Sequence, residues 1–312
     1  MLRKFLIGIG VLLLVLLGVF WWLMMSGAKA PASAPGVMDI AAWRALVADD
    51  TGKGPERIGF LEIGSENFPS YAVQAGRFAG PVAMSFNSVE LAWPDRTIII
   101  DTAVDAESME EMSRSPAASF DPVAYETLLS AMTRAEQILL THEHFDHVMG
   151  VARHPDPASI APRLALTQTQ RDALATFTRS GALPDEFLGI PMLDLLQPTR
   201  IAPGVVVAAM SGHTAGTEVI FVLRSDGREY LFIGDIAWNM SNIEDLTTRP
   251  LLLNFLFFDP PEERTRIRAQ LRALHDLMQS EPALTIVPSH DRAYLQSLVA
   301  DGRLADGFVP AP

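Results

Sequence analysis

The chain of 312 residues contains no cysteine. That excludes disulfides, thiolate metal ligands and a cysteine nucleophile. No serine stands in a G-x-S-x-G elbow, so a protein nucleophile is not expected. Positive charge is also scarce: after position 35 there are 21 basic residues against 37 acidic ones, a net charge of −16. Phosphate contacts need clustered Lys and Arg, so the expectation is no nucleic-acid partner. No internal repeat recurs at a solenoid period.

Histidine is rare as well, seven in all, yet three of the seven fall in Thr141-His142-Glu143-His144-Phe145-Asp146-His147. Imidazole and carboxylate are the donors that borderline divalent ions such as zinc prefer. His142 and His144 alternate, so in extended backbone both side chains leave the same side and can grip one ion. Asp146 and His147 fall where the chain must turn, free to reach a second ion. Upstream, Glu136 to Thr141 reads as a short buried strand from which this loop hangs. Three further strand ends carry similar residues: His213 in Ser211-Gly212-His213-Thr214-Ala215-Gly216, Asp235 closing Tyr230 to Gly234, and His290 closing Thr285 to Ser289. Each alone is an ordinary turn former or satisfied polar group. Their order along the chain is what makes them a set.

In that order the residues resemble the metallo-β-lactamase-fold superfamily of dinuclear metallohydrolases, over about residues 57–300. The resemblance implies an α/β fold of the αββα sandwich type. It implies that His142, His144 and His213 bind a first divalent metal, that Asp146, His147 and His290 bind a second, and that Asp235 bridges both. Zinc is the expected metal, with iron or manganese as alternatives. Asp101, ending the apolar strand Thr97 to Ile100, matches the family's early aspartate, which supports the ligand loop without being a ligand. One departure is Val148-Met149-Gly150, where many members carry a glycine pair.

Phe5 to Met25 is 21 residues without a charged side chain. As a helix at 1.5 Å per residue it would span about 31 Å, close to the ~30 Å of a bilayer core. Arg3, Lys4 and the amino terminus precede it, which favours the N-terminus inside and the remainder outside the cytoplasm, in the periplasm. Trp21 and Trp22 suit an interfacial position. Length favours a retained anchor over a cleaved signal, although Ala28-Lys29-Ala30 and Ala32-Ser33-Ala34 both have the small-x-small form of a cleavage site, and cleavage would release the domain. The expected organisation is an anchor or signal at 1–26, a linker rich in alanine, proline and serine at 27–36, and one catalytic domain at 37–312.

Apolar patterning predicts strands at about 57–64, 81–93, 97–101, 137–141, 163–167, 205–210, 217–224, 229–234 and 284–288. Helices are predicted at about 39–48, 122–134, 168–178, 261–279 and 292–300. His154, in a His-Pro-Asp-Pro loop, reads as a solvated side chain, and His275 as a helix-surface residue. Leu251 to Phe258 is too short to span a bilayer and reads as a buried core segment, the alternatives being an apolar wall for an acyl chain or a face resting on a membrane.

The implied chemistry is hydrolysis. Two ions sharing a water would leave a bridging hydroxide near neutral pH to attack an ester or lactone, with Asp146 and Asp235 orienting it or carrying a proton. Within the family, the missing cysteine excludes the thiolate-bearing β-lactamases, and the uncharged Ile236-Ala237-Trp238-Asn239-Met240 departs from the basic stretch of glyoxalase II-like members. Ser211 to Glu218 and Ser289-His290-Asp291 look similar to N-acyl homoserine lactonases, which carry a tyrosine where this chain has Trp238. The alternatives are a phosphodiesterase of the same fold, a single-iron enzyme similar to persulfide dioxygenases, or a catalytically silent membrane-tethered binding protein. A flavodiiron-type role is disfavoured, since that branch has a glutamate where His144 stands.

Overall fold

The computed structural model describes residues 2–177 and 184–310. Among the described residues eleven strands form two sheets: β1 (Arg57–Phe68), β2 (Val82–Ala92), β3 (Thr97–Ile100), β4 (Ser119–Phe120), β5 (Gln137–Leu139), β6 (Thr199–Ala202), β7 (Val205–Ala209), β8 (Glu218–Leu223), β9 (Glu229–Phe232), β10 (Leu284–Val287) and β11 (Ala305–Asp306). The first sheet runs β11-β1-β2-β3-β5, with β4 against β1, and the second runs β10-β9-β8-β7-β6. Neighbours are antiparallel except β1 with β11, β3 with β5, and β9 with β10.

Alternation along the strands decides the layers, because successive side chains leave opposite faces. Ile98, Ile100, Val205, Val207, Ile220 and Val222 meet in one core between the sheets. The residues between them face outward to two other cores. Ile99 and Ile138 pack under Leu128 and Met132 of helix Pro122–Met132, while Val206, Val219 and Phe221 pack under Trp43 of helix Ile40–Leu46 and Ile267, Leu271 and Leu274 of helix Arg264–Ser280. The molecule is therefore layered helices, sheet, sheet, helices.

Most expected elements form within a few residues of their predicted bounds, and helix Gln168–Phe177 replaces the prediction of 168–178, whose last residue lies outside those described. The predicted strand at 163–167 is a correction: Leu164 bridges Ile138 while Leu166 bridges Met192, so no continuous ladder forms. Short elements that carry too little periodicity to read were missed, among them β4, β6, β11 and the helices Ala106–Met112, Phe145–Ala152, Met240–Glu244 and Leu251–Leu256.

Three side-chain expectations also change. His154 is buried, its loop folding back so that Nε2 lies 3.3 Å from the Leu129 carbonyl and Nδ1 accepts from the Asp156 N–H. His275 is half-buried, with Nδ1 3.0 Å from the Ile243 carbonyl. In Leu251–Phe258 only Leu253 and Asn254 are buried; Phe255, Leu256 and Phe257 are 64%, 64% and 70% exposed. One turn and a half of helix on the surface can hide only one side of itself.

Helix Leu2–Met25 is long and apolar enough to cross a membrane, with a mean hydropathy of 2.7 and its window exposed. Residues 27–36 lie against the domain: Lys29 bridges Thr247, and Ala28 is buried.

Candidate metal centre

The ligand loop is fixed from beneath by Asp101, which follows β3. Its Oδ1 accepts from the Thr141 N–H at 2.7 Å; its Oδ2 accepts from Thr141 Oγ1 at 2.7 Å and from His147 Nδ1 at 2.9 Å. Holding Nδ1 in this way leaves His147 Nε2 as the free donor atom. Asp101 sits at φ 58°, a left-handed conformation that only a site held from several directions retains. After His144 the chain turns into helix Phe145–Ala152. Gly150 is the one position there that needs a glycine, because a Cβ would stand 2.8 Å from the Thr102 carbonyl; Met149, at the departure from the glycine pair, is simply buried.

All seven predicted ligands converge, in two groups able to hold a metal ion: His142, His144, His213 and Asp235; and Asp146, His147, Asp235 and His290. In the first, His213 Nε2 lies 2.9 Å from His144 Nδ1, and Asp235 Oδ2 lies 3.3 Å from His213 Nε2 and 3.7 Å from His142 Nε2. In the second, Asp235 Oδ1 lies 3.0 Å from His290 Nε2 and 3.4 Å from His147 Nε2, and Asp146 Oδ2 lies 3.4 Å from His290 Nε2. Ligands at 2.0–2.1 Å from a tetrahedral ion stand about 3.3 Å apart, so both groups are of the right size. The two oxygens of Asp235 face different groups. Its Oδ1 and His142 Nε2 are buried without a hydrogen-bond partner, which a cation would supply. These observations fit a pair of divalent ions; Asp101 belongs to neither group.

Electrostatics divide the histidines: burial would lower His147, His213 and His290, but the carboxylates of Asp101, Asp146, Asp235 and Glu262 around them outweigh it and raise all three above the usual range. Burial, then the neighbouring imidazoles, pushes His142 and His144 well below the usual histidine range, and the neutral ring is the form that binds a cation. Burial would raise the Asp235 carboxyl, but His290, His142 and His147 outweigh it and hold it well below the usual range.

A second layer was not visible in the sequence. His213 Nδ1 is 2.7 Å from Glu262 Oε1, and that carboxylate also accepts from Arg249, whose guanidinium donates to the Asp235 carbonyl at 2.9 Å. His290 Nδ1 donates to the Ser85 carbonyl at 2.8 Å. Glu143, between two ligands, points away and accepts from Thr214 Oγ1 and the Gly216 N–H. Trp238 donates its indole N–H to Asp235 Oδ2 at 2.6 Å, with the Arg249 guanidinium 4.7 Å from its ring centre. Phe258 stacks on His144 at 5.8 Å and meets His213 edge-on at 5.3 Å. In sequence, Trp238 had drawn attention as the residue standing in place of a tyrosine, and Phe258 as the end of the apolar stretch read as a core segment or an acyl-chain wall. Glu262 and Arg249 carry no signal that separates them from solvated charges.

The profile of the metallo-beta-lactamase superfamily matches residues 87–290, and the chain belongs to that superfamily. With two His/Asp groups able to hold metal, membership supports a metal-dependent hydrolase. Among solved structures, an N-acyl homoserine lactone hydrolase with N-hexanoyl-L-homoserine bound at its catalytic metal centre is similar at a TM-score of 0.58 and 14% identity, covering 78% of this chain and 96% of that one. A probable metal-dependent hydrolase from Staphylococcus aureus is similar at 0.55 and 13%, covering 76% and 90%. A dizinc quorum-quenching lactonase in complex with its product reaches 0.50 and 12%, covering 75% and 86%. At such identities the likeness shows the fold. No curated protein matches the chain by sequence.

Proposed function

We propose that this chain is a dinuclear metal-dependent hydrolase of esters or lactones, built on an αββα scaffold of residues 37–312 and tethered by residues 1–26 with its catalytic domain outside the cytoplasm. The observation that carries the reading is Asp235, whose two oxygens face two separate sets of histidines. His142, His144 and His213 would hold one ion, Asp146, His147 and His290 the other, and zinc suits the nitrogen and oxygen donors. Two such ions would supply a hydroxide nucleophile near neutral pH and Lewis acidity toward a carbonyl oxygen.

The chain's own residues do the rest. Asp235, buried and ionised, keeps the two groups at a fixed spacing and accepts the Trp238 N–H. Asp146 is half-buried and reaches the second group from the start of its helix, where it can orient the attacking water and carry its proton to the leaving alkoxide. Trp238 is a donor without an acidic proton, so the proton route of a phenol at this position is closed. Its ring meets Phe258 and Phe68 at 6.2 and 6.1 Å, an apolar wall suited to the acyl part of a neutral substrate.

Metal analysis of the purified full chain, followed by rates on a panel of esters, lactones and phosphodiesters, tests the reading. Two equivalents of metal are expected, with esters or lactones at least tenfold ahead of phosphodiesters, about 1.4 kcal/mol of barrier. Phosphodiesters ahead by that factor would assign the phosphodiesterase alternative. One iron with oxygen uptake on a persulfide would assign the dioxygenase-like one.

A further inference from the structure

Among the described residues outside helix Leu2–Met25, the exposed aromatic side chains fall in two places, while exposed aliphatic ones such as Leu196 and Val123 stand elsewhere. Phe255, Leu256 and Phe257 protrude from helix Leu251–Leu256, which packs against helix Leu2–Met25. Tyr71 and Phe78 protrude from the segment after β1, 43% and 67% exposed, with their rings 6.0 Å apart. That segment also meets the apolar helix: at Gly76, with φ 77°, a Cβ would collide with the Met25 thioether. Both patches therefore adjoin the same helix, whose one buried residue, Met24, lies in its last turn.

The connection is stiff. Arg264, Arg268 and Arg272 stand four residues apart on one face of helix Arg264–Ser280, and their guanidinium groups donate to the carbonyls of Gly27, Lys29 and Pro31. Ala30 N–H donates to the Leu246 carbonyl and Thr248 N–H to the Ala28 carbonyl, each at 2.9 Å. Among the described residues Lys29, Arg77, Arg264 and Arg268 have no carboxylate within ion-pair distance, although Glu262 acts on Arg264 and the Asp245 carboxylate is held by Gln74, the partner of Arg77, so several cations gather around this end of the helix.

We infer that Tyr71, Phe78, Phe255, Leu256 and Phe257 form a docking rim that sits in the headgroup region of the bilayer spanned by Leu2–Met25. The rim belongs there for three reasons. Aromatic side chains favour the interface, the cations match anionic headgroups, and the clamped strap stops the domain from swinging away. Phe257 of the rim is joined to Phe258, which stacks on His144, so the rim and the candidate metal centre share one segment of chain. An amphiphilic ester or lactone then reaches the centre from the membrane, its apolar chain leaving along the rim. This rests on the reading that Leu2–Met25 spans a bilayer.

The absence of native cysteine makes the test direct. A nitroxide is attached to single variants Phe78→Cys, Phe255→Cys and Phe257→Cys of the full chain in liposomes of phosphatidylcholine and phosphatidylglycerol. Leu13→Cys reports the helix, and Asp226→Cys reports the β8–β9 turn, at the strand end opposite the metal centre. Collision with a water-soluble nickel chelate at positions 78, 255 and 257 is expected to be about fivefold weaker than at 226, as for an interfacial site. Equal collision at these positions and at 226, with position 13 immersed in lipid, overturns the docking rim and leaves the anchor standing. A water-exposed position 13 overturns the anchor and the rim together.

Discussion

Phe257 and Phe258 are joined by one peptide bond and belong to regions built by opposite rules. Phe257 is 70% exposed among apolar neighbours with nothing over them, whereas Phe258 packs on a cluster of five imidazoles and two ligand carboxylates. In the centre, all but one of the seven polar side chains are buried and three of the histidines are oriented by a second group: Asp101 behind His147, Glu262 behind His213, the Ser85 carbonyl behind His290. At the rim the apolar side chains themselves are left uncovered. Polar groups taken out of water and apolar groups left in it both cost free energy, so each arrangement is unfavourable on its own, the centre for its buried unpartnered atoms and the rim for its uncovered rings.

The comparison can be broken most sharply at Asp235. Asp235→Ala removes the shared carboxylate from between the two histidine sets, and activity should fall about 10³-fold, or about 4 kcal/mol of barrier. Melting temperature and metal content should change far less than the rate; an equal loss of all three would make Asp235 a fold residue.

Next is the buried pair behind His213. Arg249→Met leaves the buried Glu262 charge with His213 as its remaining partner and should destabilise the fold by about 3 kcal/mol, read by denaturant unfolding of the metal-free protein. Burial would raise the Glu262 carboxyl, but Arg249 and His213 outweigh it and hold it below its usual 4.5. Its contribution is therefore complete above about pH 4.5 and is lost as pH falls through the lowered value. Glu262→Gln should flatten that part of the acid limb of the stability profile, and an unchanged limb would remove Glu262 from its cause.

A smaller effect is expected at Asp101. Asp101→Asn keeps the shape and takes away the charge that fixes the His147 ring, which should weaken metal affinity by about 10- to 100-fold in competition with a chelator. The smallest belongs to the rim. Phe257→Ser should move unfolding by no more than about 0.5 kcal/mol, since an exposed side chain has little packing to lose. A drop of several times that size would show that the rim is covered in the folded chain and end the contrast.

The candidate ligands could be picked out because metal chemistry restricts both residue type and placement. His142, His144, Asp146 and His147 are close in sequence, and His213, Asp235 and His290 each end a readable apolar strand, β7, β9 or β10, or the turn after it. The long alternating strands were legible for the same kind of reason, since one-sided burial writes a period of two. Leu251 to Phe258 misled because an apolar run states only that water is disfavoured and says nothing about what covers it. His154 misled in the other direction: its prolines announce a loop, but the loop's return to the Leu129 carbonyl involves residues 25 positions away.

By itself the sequence determined the superfamily, the seven candidate ligands and the presence of one helix long enough to cross a bilayer, because each depends on residue types within a short stretch or on their order. Only the tertiary structure decided that Glu262 and Arg249 stand behind His213, that Trp238 and Phe258 wall the centre, and that three arginines of one helix grip the strap after Met25. Those pairings join residues tens to hundreds of positions apart in sequence, through charges that look no different from solvated ones until the layers close over them.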